Sequence, residues 1–131
     1  MRRSLSKPPM RTLRMTVLIV EDNAGVRRLL QTAVAGIATT VWDCCDGADA
    51  LEAYAAHGPD IVLMDIRMPG MDGLAATRQI LRFHPLAKIV IVTDYDDDAL
   101  RGAAREAGAC GYALKLNLLD LAPLIRSIAE R

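Results

Sequence analysis

Asp65 stands directly after an apolar run, residues 61–64, and before a loop that contains Pro69, Gly70 and Gly73. A strand that is apolar at every position is typical of a parallel sheet buried on both faces. Open α/β sheets place their ligands beyond the carboxyl ends of such strands. The sequence therefore predicts that Asp65 lies in a ligand-binding cleft, where its carboxylate can serve as a covalent phosphoryl acceptor.

Further polar groups follow other apolar runs in the same way, namely Glu21 and Asp22, Thr93, and Lys115. Because parallel strands end at one edge of a sheet, we expect these groups to converge near Asp65. Crowded carboxylates repel one another, so they either raise a pKa or bind a cation. A set of oxygen ligands suits Mg²⁺, or Mn²⁺ in its place, rather than zinc.

Short apolar runs alternate with helical patterns along most of the chain, which predicts five βα units and a parallel sheet. The predicted strands lie near residues 17–20, 40–44, 61–64, 88–92 and 112–114, and the helices near residues 24–35, 48–56, 72–83, 99–107 and 120–130. In the first helix, Leu29 and Leu30 are predicted on the core face. Predicted N-caps are Asp72, one of the three aspartates at residues 96–98, and Asp120.

Length and charge predict one domain with a short tail. The 131 residues are an ordinary single-domain length, and the net charge is zero. Residues 1–14 contain five basic and no acidic side chains, which predicts a disordered basic tail before a folded domain at residues 15–131. No apolar run is long enough for a membrane span or a secretory signal, so a cytoplasmic location without membrane insertion is expected.

The three cysteines, Cys44, Cys45 and Cys110, match neither a disulfide framework nor a zinc site. They are predicted to be buried small hydrophobic residues.

The order of these polar residues on alternating βα units resembles the receiver domain of two-component response regulators, over roughly residues 16–130. The resemblance implies a flavodoxin-like, doubly wound α/β fold with a five-stranded parallel sheet of order 2-1-3-4-5 and five helices. It also implies that Asp65 accepts a phosphoryl group from a sensor histidine kinase or a phosphotransfer protein.

The resemblance assigns a Mg²⁺ site as well. Asp22 and Asp65 are expected to ligate the ion directly, together with the backbone carbonyl of Arg67, and Glu21 is expected to act through a metal-bound water.

The resemblance further implies a conformational switch. Lys115 and Thr93 are expected to contact the phosphoryl oxygens, which makes Asp65, Lys115 and Thr93 the catalytic set. Thr93 and Tyr112 are the expected switch residues, and they would change the face formed by helix 4, strand 5 and helix 5. That face would then bind a downstream protein, with homodimerisation as an open alternative.

Two positions depart from the family pattern. Asp94 stands where a small residue is common, and its charge could slow phosphorylation, although we expect it to turn toward solvent. Leu116 replaces a common proline, so a trans peptide bond is expected before it. This pattern resembles receivers that precede a helix-turn-helix output domain. Either the receiver acts alone or it is one part of a longer protein, and these 131 residues themselves are not expected to bind nucleic acid directly.

Two other functions share features with this sequence, namely an enzyme and an interaction module. An enzyme of the haloacid dehalogenase type also uses an aspartate nucleophile with Mg²⁺, but it needs a second aspartate where Arg67 stands. We therefore expect that the protein is not an enzyme, and that it carries out only phosphotransfer to itself and slow loss of its own phosphoryl group. The alternative function is a receiver-like interaction module that works without phosphorylation, for which Asp94 is the main argument.

Overall fold

The computed structural model describes residues 14–68 and 70–131. Its strands and helices alternate in the order β1 (Thr16–Val20), α1 (Ala24–Val34), β2 (Thr40–Cys44), α2 (Ala50–His57), β3 (Ile61–Met64), α3 (Gly73–Phe83), β4 (Ile89–Thr93), α4 (Asp98–Ala107), β5 (Gly111–Leu114) and α5 (Leu121–Ala129). A 3₁₀ segment, Lys115–Asp120, joins β5 to α5. The predicted disordered tail lies outside the described residues, apart from the exposed Arg14.

The five strands form one parallel sheet in the order β2-β1-β3-β4-β5, which confirms the predicted topology. Val20 pairs with Met64 at the end of β1 and β3, and Thr93 pairs with Leu114 at the end of β4 and β5. The strands therefore end at a common edge. The order of the strands reverses between β1 and β3, and ligands of doubly wound sheets bind at this point.

Two apolar layers cover the sheet because successive strand residues face opposite sides. In β1, Val17 and Ile19 pack in the layer that contains buried residues of α1 and α5. Leu18 and Val20 pack in the other layer, with buried residues of α2, α3 and α4. Buried packing on both sides makes the sheet a rigid frame for the loops at its carboxyl edge.

The local sequence predicts the N-caps of α3 and α4 but not that of α5. Asp72 and Asp97 cap α3 and α4, because their side chains accept hydrogen bonds from the backbone N–H groups of Ala75 and Ala99 at 2.8 and 2.7 Å. The predicted cap at Asp120 is wrong. Its backbone is already helical, with φ −84° and ψ −10°, whereas a capping residue needs an extended backbone.

Two predictions of burial are also wrong. Leu29 is 57 % exposed, although Leu30, which was predicted on the same face, is buried together with Val34. Cys45 is exposed just beyond β2, while Cys44 and Cys110 are half-buried. All three cysteines are free thiols. Within the described part of the chain, every helix is too short or too polar to cross a membrane.

Candidate functional site

The sheet fixes two of the acidic residues by extending its hydrogen bonds one residue past the strands. The backbone N–H of Glu21 donates to the carbonyl of Cys44 at 3.1 Å, and that of Asp65 donates to the carbonyl of Val20 at 3.0 Å. Only 1 % of Glu21 and 6 % of Asp65 is exposed, whereas Asp22 faces solvent. Two carboxylates are thus held on rigid backbone in a largely dry environment.

Carboxylate oxygens of Glu21, Asp22 and Asp65 all lie within 4.8 Å of one another. Burial raises the pKa of Glu21, and the negative charge of Asp65 adds to the rise, while Lys115 and the backbone N–H of Asn23 oppose it. Such a cluster of oxygen ligands at a half-open edge is chemically suited to a hard divalent cation. The residues present therefore fit the Mg²⁺ site that the sequence predicts.

Lys115 supplies a positive charge to this cluster from the end of β5. Its Nζ lies 2.9 Å from Glu21 Oε1 and 3.2 Å from Asp65 Oδ1. Burial disfavours the ammonium, but the hydrogen bonds and charges of the two carboxylates outweigh burial and raise the pKa of Lys115. One ammonium against three carboxylates leaves two negative charges, which a divalent cation would balance.

The pairing of Lys115 with Asp65 agrees with the predicted arrangement, but its pairing with Glu21 was not anticipated. The resemblance to receiver domains implied for Glu21 only a water-mediated contact with the metal. In the structure, Glu21 shares its carboxylate between the ammonium and the backbone N–H of Asn23, which donates to Oε2 at 3.2 Å.

The acceptor loop closes tightly on the first residue of α3. The backbone N–H of Gly73 donates to the carbonyl of Ile66 at 2.8 Å. A Cβ atom on Gly73 would lie 2.8 Å from the carbonyl carbon of Asp65 and 2.9 Å from Cα of Ile66, and it would collide with the carbonyl oxygen of Asp65. Only glycine therefore allows α3 to begin against the backbone of the acceptor residue.

Tyr95 joins the two predicted switch residues. Thr93, which is 1 % exposed, ends β4, and its Oγ1 accepts a hydrogen bond from the backbone N–H of Tyr95 at 3.3 Å. The hydroxyl of Tyr112 donates to the carbonyl of Tyr95 at 2.6 Å. The main chain of Tyr95 thus connects Thr93 to Tyr112, a role that the sequence did not reveal.

Two arginines flank this connection. The Arg67 guanidinium lies 4.3 Å from the ring centroid of Tyr95, and the Arg101 guanidinium lies 4.5 Å from that of Tyr112. Arg101 is in turn paired with Asp96 at 3.1 Å. Burial raises the pKa of Tyr112, and the positive charge of Arg101 opposes this rise.

The two departures from the family pattern lie at the edge of the site. Asp94 is exposed, as predicted, so its charge is turned to solvent. Leu116 is 84 % exposed, and the described residues contain no cis peptide bond, which confirms the trans bond before Leu116. The position of the Arg67 carbonyl as a ligand stays a prediction.

Comparison with known proteins identifies the class that this fold and site define. The chain belongs to the response regulator receiver domain family, whose model matches residues 17–125. Over 99 residues it is 41 % identical to the DNA-binding transcriptional regulator NtrC of Escherichia coli, covering 76 % of this chain and 21 % of NtrC. Over 117 residues it is 37 % identical to the response regulator GacA of Pseudomonas aeruginosa, covering 86 % of this chain and 54 % of GacA.

Solved structures agree with this assignment. A two-component response regulator of the LuxR family from Aurantimonas superposes with a TM-score of 0.85 at 31 % identity, over 89 % of this chain and 86 % of that one. The receiver domain of NarL from Mycobacterium tuberculosis superposes with a TM-score of 0.81 at 30 % identity, over 89 % and 97 %. The chain spans about a fifth of NtrC and about half of GacA, and it corresponds to their receiver portion.

Proposed function

We propose that this receiver domain is a phosphorylation switch in which Asp65 accepts a phosphoryl group from a sensor histidine kinase or a phosphotransfer protein. The observation that carries the proposal is the contact of Lys115 with Asp65, 3.2 Å apart, beside two further carboxylates at the carboxyl edge of the sheet. A hydrogen-bonded connection from Thr93 to Tyr112 leaves the same edge toward β5. Asp65 therefore lies next to the hydrogen-bonded residues that would transmit the effect of its phosphorylation.

Mg²⁺, or Mn²⁺ in its place, is the proposed cofactor. Asp22, Asp65 and the backbone carbonyl of Arg67 would hold the ion, and Glu21 would contact it through water. When bound, the ion would neutralise charge on the transferred oxygens and hold donor and acceptor in line. This assignment rests on the carboxylate cluster and on its two uncompensated negative charges.

The transfer itself uses the carboxylate of Asp65 as nucleophile. One of its oxygens attacks the phosphorus of a phosphohistidine, the new O–P bond forms, and the N–P bond breaks with its electron pair leaving on the imidazole. Lys115 then exchanges its contact with the carboxylate for one with a phosphoryl oxygen, so that its ammonium stays paired in both states. The Thr93 hydroxyl donates to another phosphoryl oxygen.

Movement of Thr93 would be transmitted through Tyr95 to the face formed by α4, β5 and α5. When the Thr93 hydroxyl turns toward the phosphoryl group, it changes its contact with the Tyr95 backbone, and the carbonyl of Tyr95 is the acceptor for Tyr112. The face formed by α4, β5 and α5 would then change its affinity for a downstream protein or for a second copy of this chain. Like charge at Asp94 would have little influence, because that side chain is exposed.

The experiment is to add Mg²⁺ and beryllofluoride, and to record amide spectra of the wild type and of Asp65→Asn. We expect shifts at Thr93, Tyr95 and Tyr112 in the wild type and none in the variant. Asp43→Asn is the matched control, because Asp43 is an exposed acid at the end of β2 that pairs with Gln31, and it should respond as the wild type does.

A wild type that stays unchanged would overturn the switch and favour an interaction module that works without phosphorylation. Acetyl phosphate with intact mass spectrometry tests the proposed absence of enzymatic turnover. We expect at most one phosphoryl group on each wild-type chain, none on Asp65→Asn, and slow loss of that group. Rapid, continuous release of phosphate would instead indicate an enzyme.

A further inference from the structure

We propose that Arg27 is a positioning residue that holds the acidic pair Glu21 and Asp22 in the arrangement that binds a divalent cation. The inference deepens the proposed function and rests on it for the identity of the cation. Arg27 lies in the first turns of α1, and its Nη1 donates to the carbonyl of Glu21 at 2.9 Å and to that of Asp22 at 3.2 Å. One guanidinium nitrogen thus bridges the carbonyls of both acids.

The helix that carries Arg27 is well anchored. Asn23 caps α1, because its side chain accepts a hydrogen bond from the N–H of Val26 at 2.9 Å. The backbone N–H of Arg27 donates to the carbonyl of Asn23 at 2.9 Å. On the other side, Leu30 fixes the helix in the core, with 2 % of its surface exposed. Arg27 therefore connects a rigid element to the loop that presents the acids.

Fixing two successive carbonyls fixes the orientation of their peptide planes, and so the directions in which the acidic side chains leave the backbone. Glu21 is held a second time by its pair with Lys115, whereas Asp22 is exposed. Among the contacts that we describe, the bridge from Arg27 is the one that orders Asp22. Outer-shell groups that hydrogen-bond directly to metal ligands change metal affinity by about 10- to 100-fold. The lower end of this range is expected for Arg27, because it contacts the main chain of the acids rather than their carboxylates.

The positive charge of Arg27, taken alone, predicts the opposite effect of its loss on Mg²⁺ affinity. A guanidinium near the acids repels a divalent cation, so loss of its charge should tighten Mg²⁺ binding slightly. If Arg27 acts mainly by positioning, its loss should weaken binding instead. The sign of the change in affinity therefore separates the two roles.

The experiment compares Arg27→Gln with Arg28→Gln. Arg28 is the neighbouring residue of the same helix and its side chain is exposed, so both variants remove one positive charge from α1. Mg²⁺ is titrated into each folded variant and binding is followed by the amide shifts of residues 20–24. We expect Arg27→Gln to bind Mg²⁺ about tenfold more weakly than the wild type, and Arg28→Gln to bind equally or slightly more tightly. Equal affinity of the two variants would overturn the inference.

A second readout without metal separates this inference from the proposed function. We expect the ¹⁵N heteronuclear NOE of Asp22 and Asn23 to fall in Arg27→Gln and to stay unchanged in Arg28→Gln, because the loop loses its anchor. If the wild type binds no Mg²⁺, the proposed cofactor is wrong, while a fall in the NOE would still support positioning by Arg27. If the wild type binds Mg²⁺ but the NOE is unchanged, positioning is wrong.

Discussion

Replacement of Gly73 by alanine would test how closely α3 is built onto the acceptor residue. The added Cβ would lie 2.8 Å from the carbonyl carbon of Asp65 and 2.9 Å from Cα of Ile66. Both are backbone atoms, so no change of rotamer can relieve the contact. Either the acceptor loop or the start of α3 must shift, and a shift would lengthen the hydrogen bond from Gly73 to Ile66.

Two opposing effects set the size of the change in stability. Alanine is favoured over glycine in a helix by about 1 kcal/mol at most, and by less at the first residue. Overpacking against backbone costs about 1 to 3 kcal/mol, and weakening one hydrogen bond costs roughly 1 kcal/mol more. The contact therefore outweighs the propensity, and we expect Gly73→Ala to lower the free energy of unfolding by about 1 to 4 kcal/mol.

Urea unfolding followed by far-ultraviolet circular dichroism measures this change, and Gly102→Ala is the matched control. Gly102 lies inside α4, where an added Cβ meets no atom within 4 Å, so alanine there should stabilise the protein by about 0.5 to 1 kcal/mol. Both substitutions replace glycine by alanine, but the expected changes in the free energy of unfolding have opposite signs. A Gly73→Ala variant as stable as the wild type would show that the acceptor loop is not constrained by α3.

Four smaller experiments test other parts of the structure. Burial and nearby carboxylates raise the pKa of Cys44 to about 11, so iodoacetamide at pH 8 should modify the exposed Cys45 first, as peptide mapping would show. Tyr112→Phe removes the donor to the Tyr95 carbonyl, and should cost about 0.5 to 1.5 kcal/mol in urea unfolding and reduce the amide shift of Tyr95 on addition of beryllofluoride. The raised pKa of Glu21 means that the folded state holds its proton more tightly than the unfolded state, so metal-free stability falls as pH rises above 4.5 through the folded pKa. Glu21→Gln should remove this part of the pH dependence of urea unfolding. Mg²⁺ at 100 times its dissociation constant should raise the free energy of unfolding by about 2.7 kcal/mol, measured by thermal unfolding.

Much of the fold follows from periodicity in the sequence. The apolar runs predicted β1 and β3 within a residue, because strands buried on both faces tolerate few polar side chains. The helix ends were harder to predict. Asp120 has the residue type of a cap, but the preceding 3₁₀ segment already gives it a helical backbone, and that is a property of the chain path rather than of the residue.

The site was predictable to the extent that strand ends determine it. Asp65 and Lys115 both follow apolar runs, so they lie at the same carboxyl edge of the parallel sheet, where their side chains meet although β4 separates β3 from β5. The contacts of Arg27 and Arg101 could not be predicted, because a long side chain reaches several elements and only the packed structure selects one. The contacts of Tyr95 are made by its main chain, so the type of its side chain gives no signal for them. The sequence therefore indicated which residues bear the chemistry, and the structure showed which residues hold them in place.

The main chain and the side chain of Arg67 have separate roles. Its proposed contribution to the metal is a carbonyl, which any amino acid supplies equally well, whereas its guanidinium stacks on Tyr95 in the loop after β4. Mutation at this position can therefore alter the loop without removing a ligand. A substitution such as Arg67→Ala would therefore remove the contact with Tyr95 and keep the carbonyl that is the proposed ligand.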